Sequence, residues 1–376
     1  MEIEGQTFAE KFDLFGCIQC GKCTGGCPIS LKSSLNIRRL VYESIMKESN
    51  ESIFEMPALW DCSTCATCSL RCPKGVEPVE VIIGMRSLLV EEGRIQTTVR
   101  DALESIFKNG NPWGRIRDKR SEWQEGLKIK NFSEGQSAEI LYFVGCTPAY
   151  DPRLQEVAKS LVKCFDRTGV DFGTLGNEET CCGNEVRRMG EGGLFEMLVE
   201  DNSSLFKKYR IEKMVTTSPH CYNTFKNEYP EIDFQVQHYT QFVSELIKQG
   251  RLTFSKEITR VVTYQDPCFL GKQNDVYDEP RMIIESIPGV KFLDMDRSRE
   301  RSLCCEGGGG RMWVDASYTG ERLAEVRVKD AISMGAEILA TACPFCLLTL
   351  EDAVKTTGNE EKIQVKDIME LVAEAI

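Results

Sequence analysis

Eighteen cysteines in 376 residues carry most of the chemistry this chain could do. Eight fall into two copies of one spacing: Cys17-x2-Cys20-x2-Cys23-x3-Cys27-Pro28 and Cys62-x2-Cys65-x2-Cys68-x3-Cys72-Pro73. A cysteine at every third residue lets one loop wrap three corners of a 4Fe–4S cube. The fourth, before proline, reaches a second cube. Cys17, Cys20, Cys23 and Cys72 are therefore expected to hold one cluster, and Cys62, Cys65, Cys68 and Cys27 the other. The crossover keeps the two cubes close enough for rapid electron hopping. Structural zinc sites use two separated CxxC knuckles instead. Only two histidines, His220 and His238, are present, so imidazole-based zinc or haem chemistry is poorly supplied.

The other ten cysteines follow two parallel patterns. The complete one is Cys268, then Cys304-Cys305, then Cys343-Pro344-Phe345-Cys346. Five thiolates at one point read as a metal or cluster site rather than a redox dithiol. The run Glu306-Gly307-Gly308-Gly309-Gly310-Arg311 lacks the Gly-Lys-Ser/Thr of a phosphate loop. It reads as a close backbone approach, with amides reaching cluster sulfurs or substrate. Arg311 has two readings, offsetting thiolate charge or holding an anion, and an ordinary ion pair. In the first pattern Cys146, Cys181, Cys182 and Cys221 match, but Ser218 stands where the second has Cys343. A serine hydroxyl stays protonated near neutrality and is a poor soft-metal ligand. Cys164 reads as a packed core thiol. His220, beside Cys221, reads as a structural histidine, with hydrogen-bond or proton donation as the sharper alternative.

These residues need elements to hold them. EILYFVGC (139–146) and RVVTYQDPC (260–268) are short apolar runs ending in Cys, each expected to be a buried strand. Each leads through a helical stretch to a second strand, VDFGTLG (170–176) or VKFLDMD (290–296), and then to a Cys pair. A long helix and a further strand follow, KMVTTSPHC (213–221) or EILATACPFC (337–346). Such alternation implies βαβ units on a parallel sheet, whose strand ends converge on one crevice. Before them, SLNIRRLVYESIM (34–46) and VEVIIGMRSLLVEEG (79–93) have helical spacing. The linker between Cys27 and Cys62 also looks helical. Residues 101–138, punctuated by Gly110, Pro112 and Gly114, read as a connecting arm.

Bulk properties narrow the partners. A net charge of −12 repels phosphate backbones, so nucleic acid is not expected. The basic run Arg115–Arg120 (RIRDKR) reads as a solvated linker or docking patch. No signal peptide opens the sequence, and no run approaches eighteen apolar residues. The expectation is a cytoplasmic protein, peripheral to a membrane only through a partner subunit.

The two cysteine-rich repeats resemble the CCG domain. Placed behind a two-cluster ferredoxin domain, they resemble the D subunit of heterodisulfide reductase, equivalent to the C and B subunits fused. The iron–sulfur subunits of glycolate oxidase and glycerol-3-phosphate dehydrogenase share the architecture. The resemblance implies an α-helical ferredoxin domain (1–100), the arm (101–138) and two α/β CCG domains (139–255 and 256–376). It implies a non-cubane 4Fe–4S cluster on Cys268, Cys304, Cys305, Cys343 and Cys346, the catalytic set. Cys146, Cys181, Cys182 and Cys221 would form part of another. The implied reaction is reduction of a disulfide of the coenzyme M–coenzyme B type. The alternative is an electron conduit in a larger complex with a flavoprotein dehydrogenase, an electron-transfer flavoprotein, an acyl-CoA reductase or a membrane cytochrome. Three departures stand out: Ser218, Glu306 in place of Gly after the second Cys pair, and Gln265 where related sequences carry His.

Overall fold

The computed structural model describes residues 2–3, 6–46, 57–230 and 232–376. A two-residue hairpin, β1 (Glu2–Ile3) with β2 (Gln6–Thr7), precedes a helical region carrying the first eight cysteines. Its main helices are Ile37–Met46 and Pro78–Glu91, close to the expected spans. Proline opens the second, where its missing N–H costs nothing. Part of the linker expected to be helical, residues 47–56, lies outside the described residues.

The arm differs from expectation. A regular helix, Thr97–Asn109, crosses position 100 and occupies about its first quarter. Val99, Ala102, Leu103 and Ile106 bury one face at helical spacing, and Gly110 stops the helix at φ +69°. The glycines and proline that marked an irregular arm begin only at that stop.

Two parallel sheets follow. The first orders its strands β3-β5-β4-β6-β7, with β3 Lys130–Asn131, β4 Ile140–Phe143, β5 Phe172–Thr174, β6 Lys213–Thr216 and β7 Gln235–His238. The second orders them β11-β10-β8-β9, with β8 Val261–Gln265, β9 Lys291–Phe292, β10 Ile338–Thr341 and β11 Gln364–Asp367. All these pairings are parallel. Read in chain order, the last four strands of the first sheet and the four of the second have one topology, as the internal repeat predicts. The fold is thus a helical ferredoxin-like region followed by two βαβ domains of CCG type. The closing strands β7 and β11 carry too few apolar residues to be read from sequence.

The repeats share one apolar core. Helix Pro152–Thr168 is capped by Asp151, which accepts from the amides of Arg153 and Leu154. From it Arg153 reaches Glu351 and Glu370 of the second repeat at 2.5 and 2.8 Å. Tyr239 Oη donates to Asp367 across the same boundary at 2.7 Å.

His238 ends β7, fully buried. Its Nε2 donates to the Thr217 carbonyl at 3.1 Å, which leaves Nδ1 to accept from Thr240. Burial pushes its pKa down to about 3. The unfolded value is about 6.5, so the unfolded chain binds the proton first. Stability from this group is present above about pH 6.5 and is lost as pH falls toward 3, at up to about 1.4 kcal/mol per pH unit. Chemical denaturation of the protein between about pH 7 and 5 will show that slope, and His238→Gln will flatten it.

Candidate metal centres

The first eight cysteines lie in two groups, each mixing the two motifs. Cys17, Cys20, Cys23 and Cys72 line one small cavity near the surface. Cys20 is exposed, and Gln19 Nε2 donates to Cys17 Sγ at 3.4 Å. Cys27 crosses to the other set. Burial and its neighbour Cys65 raise its pKa, and burial with Cys62, Cys65 and Cys27 raises that of Cys68. Burial pushes Cys62 up to about 12. Four buried thiols that oppose one another's ionisation are a donor set for a cationic iron–sulfur core, which would remove the penalty.

The tight turns of the second loop leave Thr64 and Ala66 in the left-handed region, at φ +49° and +61°. This backbone turns the Thr64 amide onto Cys62 Sγ at 3.4 Å.

In the second repeat every ligand candidate follows a strand's carboxyl end: Cys268 after β8, the 304–305 pair after β9, and Cys343 and Cys346 after β10. Cys346 and Cys305 sulfurs lie 3.2 Å apart. Cys304 neighbours Cys268 and Cys305, and Cys343 neighbours Cys346, so all five thiols are contiguous. Burial opposes ionisation of Cys343, but hydrogen bonds from Cys346 and His220 hold it well below the usual thiol range. The donor set suits an iron–sulfur cluster. Among the described residues, no group of three or more His, Cys, Asp or Glu is placed to hold a single metal ion.

The departures from the CCG pattern have physical accounts. Gly183 and Glu306 occupy the same left-handed backbone, at φ +84° and +68°. Each presents its amide to the first sulfur of its pair, Cys181 at 3.4 Å and Cys304 at 3.2 Å. Glu306 bears the strain of a side chain there, about 1 kcal/mol. Its carboxylate offsets this by accepting from Leu323 N at 2.7 Å, at the start of helix Leu323–Ser333. Gln265 Nε2 donates to the Leu303 carbonyl at 2.8 Å and so fixes the backbone entering Cys304.

Ser218 is more telling. It caps helix Pro219–Asn227, its hydroxyl accepting from His220 N at 3.2 Å. Cys343 caps helix Pro344–Thr356 without any such side-chain bond, which leaves its sulfur free. The first site therefore has four thiols in sequence, Cys146, Cys181, Cys182 and Cys221, lining a cavity with Ser218 and His220. Cys164 lies apart, buried in the core, its thiol pushed up to about 12 by burial alone.

Several charged residues change role. Arg120, read as part of a solvated run, is buried and pairs with Glu179 at 2.7 Å. It also donates to Cys146 Sγ at 3.7 Å. Arg115 and Lys119 are the solvated part of that run, and half-buried Arg117 donates to Thr180 Oγ1 at 3.4 Å. Arg120 turns fully inward because Glu179 waits there, also accepting from Val144 and Gly145 amides. Arg311 pairs with buried Asp61, just before Cys62, at 3.4 Å. The glycine run serves packing as well as sulfur contact: a Cβ on Gly309 would meet the Cys62 carbonyl at 2.8 Å.

His220 is not merely structural. It extends from the first repeat to the Cys343 thiol of the second, with Nδ1 on Glu185 at 2.9 Å and its ring stacked on Phe269 at 4.2 Å. Burial would lower its pKa, but the Cys343 and Glu185 partners raise it to about 9.

Sequence reasoning missed Lys272 and Arg86. Buried Lys272 donates to Thr67 Oγ1 at 2.9 Å and the Ser302 carbonyl at 2.6 Å, its charge partly countering the Cys304 contact and the burial that together push the Cys65 thiol up. Neither residue belongs to a cysteine motif, and only a buried charge in the fold identifies them. Cys65 itself neighbours Cys304, so the ferredoxin set abuts the second repeat's set.

Residues 13–76 match the 4Fe-4S dicluster domain, and residues 140–226 and 262–351 each match the cysteine-rich CCG domain. The D subunit of the dihydromethanophenazine:CoB–CoM heterodisulfide reductase of Methanosarcina barkeri is 32% identical over all of this chain and 97% of its own length. The chain belongs to this family of ferredoxin–CCG iron–sulfur oxidoreductases. Other members include the probable iron-sulfur-binding oxidoreductase FadF of Bacillus subtilis, 33% identical, and the EtfAB:quinone oxidoreductase of Syntrophomonas wolfei, 30% identical. Both match the whole chain, which spans about three fifths of their lengths, 61% and 60%. Within the family this chain is an oxidoreductase subunit of the iron–sulfur type. Among its described residues no helix is long and apolar enough to cross a membrane.

Proposed function

We propose that this chain is an electron conduit in a larger complex, joining a flavoprotein of the electron-transfer type to a second redox partner. The contiguity of the thiol sets carries this reading. Cys17, Cys20, Cys23 and Cys72 would hold one cubane at the surface, and Cys62, Cys65, Cys68 and Cys27 a second behind it. Cys268, Cys304, Cys305, Cys343 and Cys346 would hold a third cluster, touching the second set through Cys65 and Cys304. When bound, such clusters supply one-electron redox chemistry. The chain's own residues bury the second and third sets, aim backbone amides at their sulfurs and place Lys272 and His220 to offset their charge. The diversion of Ser218 into a helix cap leaves the first CCG site one thiol short. The longer family member named for EtfAB and quinone supports the same reading.

A second reading, disulfide reduction at the five-thiol set, is favoured by one observation: a histidine donor on Cys343. Iron and sulfide analysis with a reduction assay separates the two. The conduit reading expects about twelve irons per chain after anaerobic purification, from three four-iron clusters. It also expects reduction by an electron-transfer flavoprotein and no turnover of the coenzyme M–coenzyme B disulfide by the isolated chain. Disulfide turnover by that isolated, reduced chain would replace the first reading with the second.

A further inference from the structure

The surface around the first thiol set gathers basic residues on an otherwise acidic molecule. Lys22, Arg38, Pro73 and Lys74 rim the cavity that Cys17, Cys20, Cys23 and Cys72 line, together with Ile18. Arg71 lies beside them, its side chain against Gly26. Lys22, Arg38, Arg71 and Lys74 are all exposed, and no ion pair engages them among the described residues. Among the described residues that line this cavity there is no Asp or Glu, so the rim carries a local positive excess in a chain of net −12. Some exposed cations elsewhere, such as Lys108 and Lys208, are paired with carboxylates; what sets this rim apart is that its unpaired cations gather around one thiol-lined cavity. Two large apolar side chains are exposed at the rim (Ile18) and just before it in the chain (Phe15). Phe15 and Ile18 are each 62% exposed, on the turn entering Cys17 and between Cys17 and Cys20. Exposed aromatic and aliphatic side chains inside a polar rim mark a contact surface.

We propose that this rim docks the acidic face of a redox protein, which exchanges single electrons with the chain through the Cys17, Cys20, Cys23 and Cys72 site. The inference rests on the conduit reading and names the kind of partner that the conduit takes at this end. Charge complementarity selects the occupant: unpaired cations on an acidic chain attract an acidic protein and speed its encounter. Exposed Cys20, lining the same cavity, selects a redox partner over an anionic membrane, because electron transfer demands close approach at that thiol set and lipid has no electron to give.

Stopped-flow reduction of the anaerobic holoprotein tests it, with an acidic flavodoxin hydroquinone as the one-electron donor and reduced methyl viologen as a small cationic one. With flavodoxin, the second-order rate of cluster bleaching is expected to fall at least about tenfold between roughly 20 mM and 500 mM salt. It is expected to fall at least about tenfold at low salt in the combined Lys22→Glu, Arg38→Glu, Lys74→Glu variant, with iron content checked to match the wild type. A flavodoxin rate that ignores salt, or rises with it, overturns the proposal on the wild-type protein alone, whatever the variant's folding. So does a variant of full iron content that reacts as fast as wild type. Salt-sensitive binding of the wild type to phosphatidylglycerol vesicles, with a salt-insensitive flavodoxin rate, would assign the patch to a membrane instead. Failure of both donors to reduce the wild type would strike the conduit reading itself, whereas reduction by viologen with an indifferent flavodoxin rate strikes only the docking surface.

Discussion

Replacing Arg86 by alanine is expected to cost about 3–5 kcal/mol, the range for stranding buried partners of a charged group. Arg86 is fully buried, yet no carboxylate pairs with it among the described residues. Its guanidinium donates to four carbonyls: Leu59 at 2.9 Å, Cys62 at 2.7 Å, Arg188 at 2.8 Å and Gly309 at 2.9 Å. Those carbonyls come from the ferredoxin-like region, the first repeat and the second. One side chain therefore ties all three segments at the point where the thiol sets meet. The Trp60 ring lies under it, 4.9 Å from the guanidinium carbon. Burial lowers its pKa, while Cys62 and Glu185 favour the charged form. Arg86→Ala leaves four desolvated carbonyls and removes a cation beside the Cys62 site. A lysine offers one ammonium and cannot span the four acceptors, so Arg86→Lys is expected to recover less than about half of the loss. Thermal unfolding of anaerobic protein, with iron content read on the same samples, measures both effects. An alanine variant within about 1 kcal/mol of wild type would show that the three segments hold together without this clamp.

Arg86 also marks where sequence reading ends. The cysteine spacings point to crossed ferredoxin sets, because a three-residue repeat dictates loop geometry whatever surrounds it. The strand–helix alternation foretold two parallel sheets, because β4, β6, β8 and β10 are apolar on both faces, as strands covered on both sides must be. What the repeats do to each other was not legible. Nothing local in Ser-Pro-His-Cys shows that His220 will meet Cys343, far along the chain, rather than its own repeat. Nor does RIRDKR show that its last arginine turns inward to Glu179. Such pairings depend on how finished domains pack, which short-range periodicity does not encode.

Cys343→Ser tests the contrast between the repeats, and stability and function should move in opposite directions. Ser218 accepts a hydrogen bond from the amide two residues on, and Cys343 makes no such cap on its own helix. Serine at position 343 is a good N-cap, as Ser218 is on its own helix. The metal-free variant is therefore expected to be as stable as wild type or up to about 1 kcal/mol more so. The five-thiol set loses its member on His220, and a capping hydroxyl does not replace a thiolate for soft iron. Loss of one outer-shell partner alone costs roughly 10–100-fold in metal affinity, so loss of a ligand should cost at least about 100-fold. Iron per chain should drop by about four while the two ferredoxin-type sites stay filled. If the variant instead keeps its full iron and its electron uptake, Cys343 is not a ligand, and the two repeats differ less than Ser218 suggests.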